Sequence, residues 1–94
     1  MKDDLQALYL SGVRRARFLA RVQLYSRAGL IALDNIESPT GITSHCWIRQ
    51  NQWHGPIPLP GRRVEFMADI RQYFKGNGIE DFGLFRVKVL NYDG

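Results

Sequence analysis

The sequence predicts an all-β fold, a small five-stranded antiparallel barrel behind one short N-terminal α-helix. Three observations carry this. The chain has 94 residues, 45% hydrophobic and 12% aromatic against 23% charged, which supplies one thin core and not two. From residue 17 onward the apolar side chains recur with a period of two, the strand period. Gly, Pro and Asn punctuate those runs at short intervals, as turns between strands require. The whole chain, 1–94, reads as a single domain, with a helix at about 3–13 and a barrel at about 17–90.

The helix is predicted by Asp3 as N-cap, Gln6 at the capping-box position and Leu5, Leu8 and Tyr9 at helical spacing, with Gly12 as its stop. At this length it is not stable alone, so its apolar stripe has to dock on the barrel or on a second subunit. In the first strand, residues 17–25, Phe18, Ala20, Val22 and Leu24 face the core and Arg17, Arg21, Gln23 and Tyr25 face out. Residues 26–29 turn the chain into a second apolar run, 30–33, and 34–43 read as a loop. The third strand, 45–49, places Cys46 and Ile48 inward and His45, Trp47 and Arg49 outward.

Residues 51–62, with Pro56, Pro58 and Pro60 between Gly55 and Gly61, form an extended connector, since Pro lacks the N–H that a helix interior or a central strand needs. Val64, Phe66, Ala68 and Ile70 alternate with polar residues in the fourth strand, which extends toward Tyr73. After a turn at 76–78, Phe85, Val87 and Val89 point inward in the fifth, with Arg86 and Lys88 outward. Five strands with one apolar face each bury that face by curling into a barrel. An OB-fold-like barrel fits best, because the first strand is long enough to bend and pair at both ends. The connector occupies the place of the helix usual between strands three and four. An Sm-like or SH3-like barrel is the alternative.

The chain carries a net charge of +4, and ten of its thirteen basic residues are arginine. Residues 5–79 hold ten basic and four acidic side chains, so the middle of the chain is distinctly cationic. Arginine suits partners that offer phosphates to grip or flat rings to stack on. No Gly-rich phosphate loop, Gly-x-Ser-x-Gly elbow or His-Glu-x-x-His motif is present, so no catalytic residue and no cofactor are expected. His45, Cys46 and His54 are three ligand types within ten residues, but neighbours on a strand face opposite sides, and no metal site is expected. A single cysteine excludes an internal disulfide and fits a reducing, cytoplasmic setting, and no segment reads as a signal peptide or a membrane span.

Cations interleaved with aromatics on an outward barrel face are what a single strand of nucleic acid requires, charges for phosphates and rings for bases. The candidate binding residues are Arg21, Tyr25, Arg27, Trp47, Arg49, Arg71, Tyr73, Lys75, Arg86 and Lys88. Trp47 and Trp53 are exposed stacking platforms unless the helix or the connector folds over them.

His45-Cys46-Trp47-Ile48, the run from Pro60-Gly61-Arg62-Arg63-Val64 through Phe66-Met67-Ala68 to Tyr73, and Asp81-Phe82-Gly83-Leu84 together resemble the small OB-fold single-stranded DNA-binding proteins of phages and mobile elements. The resemblance spans about 17–90 and implies single-strand binding in replication, recombination or defence, with DNA preferred to RNA. The other class of function is a protein-interaction barrel, which would dock through the Trp53 connector and the N-terminal helix on a larger complex or a second copy.

Overall fold

The structure, a computed structural model, describes residues 3–93. It is mostly β, with one α-helix, α1 (Asp3–Leu10), and six strands: β1 (Arg15–Tyr25), β2 (Leu30–Glu37), β3 (Ile42–Arg49), β4 (Trp53–His54), β5 (Arg63–Phe74) and β6 (Glu80–Tyr92). No helix among the described residues is long and apolar enough to cross a membrane.

α1 ends at Leu10, earlier than the expected residue 13, and Gly12 stops it as expected, with a paired cap. Gly12 takes φ +92°, and the amides of Gly12 and Val13 donate to the carbonyls of Tyr9 and Leu8 at 3.1 and 3.0 Å. Asp3, the expected N-cap, is already inside the helix, and its side chain lies outside the described ones. Leu5 and Leu8 are buried, and the Tyr9 ring meets Phe82 at 5.2 Å, so the helix docks on the sheet as its length demands. Asp4 ties it to the β2–β3 turn by accepting hydrogen bonds from the hydroxyls of Ser38 and Thr40.

The strands form one sheet in the order β3-β2-β1-β5-β6-β4. β1, β2 and β3 follow one another as hairpins, and a long connection returns β5 to the free side of β1, which is Greek-key order. β1 serves both halves, pairing with β5 over Arg15 to Arg21 and with β2 over Leu19 to Tyr25. The closed five-stranded barrel expected from the sequence is not what forms. The sheet is open, with β3 and β4 at its edges and no ladder between them. After β3, a 3-10 turn (Gln50–Gln52) carries the chain into β4, which lies parallel to β6 through Trp53–Val87 and His54–Lys88.

Two expected boundaries move. The segment read as a loop at 34–43 is mostly strand, since β2 runs to Glu37 and β3 starts at Ile42, which leaves a short turn pinned by α1. β6 starts at Glu80, four residues earlier than its apolar alternation suggested.

Bulges account for the side chains that point the wrong way. Between Val22–Leu33 and Leu24–Ala32 the extra residue is on β1, so Leu24 turns out of the core and is 38% exposed. Between Met67–Lys88 and Asp69–Phe85, β6 inserts Arg86 and Val87 opposite Ala68, with Arg86 at φ +51°. That exchanges faces. Phe82, Leu84 and Val87 are buried, and Phe85, expected inside, stands on the outer face. Phe18, Phe66, Val64, Ala68, Ile70, Cys46 and Ile48 hold their predicted core places.

Candidate functional site

β3 and β6 run alongside each other without pairing, and the unclosed seam between them is a cleft of about 400 Å³. Its rim comes from alternation on three strands. Cys46 and Ile48 are buried, so Trp47 and Arg49 of β3 project to the other face. Tyr73 arrives from β5 and Phe85 from β6, while Cys46, Gly83 and Leu84 lie beneath. Trp47 is 51% exposed, a large apolar surface left in water. Arg49 has no ion pair among the described residues, so its charge is free for a ligand.

The cleft continues round the end of the sheet. Leu30 and Arg49 also line a second hollow, with Gly29, Gln50 and Asn51, and Gly29 and Gln50 a third, with Tyr25, Ser26 and Arg27. Tyr25 and Arg27 thus lie at the far end of one furrow. Tyr25 is not on the Trp47 face as expected: the β1 bulge pairs it with Ile31 on the core side of the ladder, and it reaches solvent only because the strand ends.

Most of the remaining candidate cations meet carboxylates, Lys75 from the turn between β5 and β6. Arg21 makes a two-pronged contact with Asp34 at 2.9 and 2.8 Å. The hydrogen bond and charge of Asp34 raise the Arg21 pKa, and Arg21's hydrogen bond holds Asp34 below the usual carboxylate range despite partial burial. Lys75 sits 3.4 Å from Asp81, which also accepts the Tyr73 hydroxyl at 3.1 Å. Arg71 and Arg86 share Asp69 with Arg15, and the Arg71 guanidinium lies 5.1 Å from the centroid of the Phe85 ring. Burial would push the Asp69 pKa up, but the Arg15 hydrogen bond, the Arg86 and Arg15 charges and the Arg71 hydrogen bond together hold it down. Lys88 borders a hollow with Arg15, His54 and Arg86.

The structure therefore brings Trp47, Arg49 and Tyr73 into one cleft, sets Tyr25 and Arg27 at its far end, and groups Arg71, Arg86 and Lys88 beside it. Arg21 stands apart with Asp34. The sequence reading missed Phe85, hidden by the bulge, and the pair Arg15 and Asp69, directly opposite each other on β1 and β5. Trp53 is no platform. It is 6% exposed, 6.0 Å from the Phe66 ring, and its indole N–H donates to the Pro56 carbonyl at 3.0 Å, so the connector covers it. His45 is exposed and Cys46 buried, and no group of three or more His, Cys, Asp or Glu side chains among the described residues is placed to hold a metal ion. Comparison of the chain with family models, with curated proteins and with solved structures finds no match.

Proposed function

We propose that this protein is a non-catalytic, OB-type module that binds single-stranded nucleic acid, DNA in preference to RNA, along the open seam of its sheet. The observation that carries the reading is the pairing of Trp47, half exposed, with the ion-pair-free Arg49 at the mouth of a cleft whose other wall is Tyr73 and Phe85. Rings with exposed faces accept bases of any identity, and each stacked base contributes about 1 to 3 kcal/mol. A guanidinium two residues away on the same strand face is placed to hold the adjoining phosphate. The Greek-key order supports an OB-type arrangement of strands, left open here at the β3–β6 seam, and in OB folds oligonucleotides lie across the strand face and adjacent loops.

The groups that a docking subunit would offer are already used inside the fold, Trp53 by Pro56 and Phe66, and Leu5 and Leu8 of α1 by the core. Trp47 at the cleft mouth keeps half of its surface exposed. Titration with single-stranded DNA, RNA and duplex, read by tryptophan fluorescence, tests the proposal, because Trp47 is the exposed one of two. Quenching by single strands with weaker duplex binding is expected. No quenching and no binding of any strand refutes it.

A further inference from the structure

We propose that the outer face beside the cleft holds a built phosphate-binding site, three arginines gathered on Asp69, and that the β6 bulge exists to aim Arg86 into it. The inference rests on the function proposed above for the identity of the strand that supplies the phosphate.

Asp69 stands in the middle of β5, with Arg15 opposite it on β1 and Phe85 on β6. Its two oxygens meet Arg15 at 2.8 Å, Arg86 at 3.3 Å and Arg71 at 3.4 Å. One carboxylate under three guanidiniums leaves a net charge of two positives at one point. The partly buried Arg15 pair stabilises Asp69, but ion-pair stability does not explain the more exposed Arg71 and Arg86, which add little as pairs and repel the first arginine. A guanidinium carries five N–H donors in a rigid fork, so most remain free to grip a second, phosphate-like anion.

Arg86 pays for its place in backbone conformation. A side chain with a Cβ disfavours the left-handed region, and bulges beside binding sites commonly re-aim a side chain. This one is fixed from two sides. The Arg86 amide donates to Gln52 Oε1 at 3.0 Å, and its carbonyl accepts from Arg15 at 3.1 Å. Arg15 therefore joins the bulge to Asp69, which makes Asp69 a positioning residue for both arginines. The site is continuous with the cleft, because Arg71 lies against Phe85. On its other side a hollow of about 460 Å³ is bordered by Arg15, Arg86, Lys88 and His54. The ligand is a phosphate or phosphodiester oxygen set, from within a strand or at its end.

The test uses two variants and two probes. Asp69→Asn raises the net positive charge, so diffuse attraction predicts tighter binding and a positioned site predicts weaker. Arg86→Gly removes the cation and relieves the left-handed backbone, so it keeps the fold. Tripolyphosphate, followed by the arginine Nε–H signals in NMR spectra, is expected to shift Arg15, Arg71 and Arg86 in the wild type. Each variant is expected to bind it, and a single-stranded oligonucleotide, about 10- to 150-fold more weakly, the loss of about one charge-assisted hydrogen bond. Comparing oligonucleotides with and without a 5′-phosphate separates an end phosphate from an internal one. Wild-type oligonucleotide binding with unchanged affinity in both variants overturns the site and leaves the proposed function standing. Tripolyphosphate binding at the three arginines without oligonucleotide binding does the reverse.

Discussion

The ring of Tyr73 stands edge-on to that of Phe85, centroids 6.3 Å apart at 77°, above the backbone of Gly83. A Cβ built on Gly83 would lie 3.1 Å from Tyr73 Cε1 and 3.3 Å from Phe85 Cε1, closer than ring carbons accept without moving. Glycine inside a strand weakens it, and here the close approach of two rings explains its presence. Together they form one wall of the cleft. Gly83→Val is expected to part the rings and weaken single-strand binding severalfold while the sheet stays folded. A titration beside a circular-dichroism melt checks this, and unchanged affinity would remove Tyr73 and Phe85 from the site.

The two tryptophans predict opposite phenotypes. Trp47→Ala should weaken single-strand binding by about 1 to 3 kcal/mol, about 5- to 150-fold, with little change in Tm, because a half-exposed ring contributes little to the core. Trp53→Ala should cost about 3 to 5 kcal/mol of stability, as expected for a buried Trp truncated to Ala. A melt and a titration on each variant separate the two. Loss of stability in Trp47→Ala with native affinity would sink the stacking role.

How much of this was legible in the sequence depends on whether the period of two was interrupted. β5 alternates without a break, so its core side was readable residue by residue, and so was the register of Cys46, Trp47 and Ile48 on β3. β1 and β6 carry bulges, and an extra residue reverses every side chain beyond it without leaving any compositional mark. Leu24, Tyr25 and Phe85 were misplaced for that one reason. The pairing of Arg21 with Asp34 was hidden because Asp34 was read as loop, so nothing placed a carboxylate across the ladder. The Arg15–Asp69 pair depends on the register between strands more than fifty residues apart, which a single sequence does not contain.

Salt dependence follows from which cations are free. Arg27, Arg49 and Lys88 make no ion pair among the described residues, and the Asp69 cluster keeps surplus charge. With about four phosphates neutralised, log K for a single strand is expected to fall with log salt at a slope of about −3, from about −0.7 per contact. Arg21→Gln should leave the slope unchanged, because Asp34 already holds that guanidinium. A wild-type slope near zero would contradict phosphate binding altogether.

α1 is a structural part of the core. Leu8→Ala is expected to cost about 2 to 5 kcal/mol, the range for a buried leucine whose removal leaves a cavity. Asp4→Ala should also destabilise, by loosening the helix from Ser38 and Thr40. Deleting residues 1–12 should lower the Tm sharply or expose enough apolar surface to drive self-association. An unchanged Tm and an unchanged mass in solution would show that the helix is dispensable.

Acid should find the fold's weak points at Asp34 and Asp69. Both carboxylates have folded-state pKa values held below their ordinary values, Asp34 by the Arg21 hydrogen bond, and Asp69 by Arg15, Arg86 and Arg71 against the opposing effect of burial. A group whose pKa is lower in the folded chain than in the unfolded one binds fewer protons when folded. Its stabilising contribution is therefore complete above the unfolded pKa, about 4 for aspartate, and disappears as pH falls through the lower folded value. Stability should thus be level from neutral pH down to about pH 5 with respect to these two groups and drop below about pH 4. Asp34→Asn removes one of the two titrations, so that variant should begin less stable at neutral pH and lose less on acidification. Asp34→Asn combined with Asp69→Asn should flatten the acid limb further. Urea unfolding at a series of pH values measures this directly. Parallel pH curves for the wild type and the double variant would mean that neither arginine contact survives in solution.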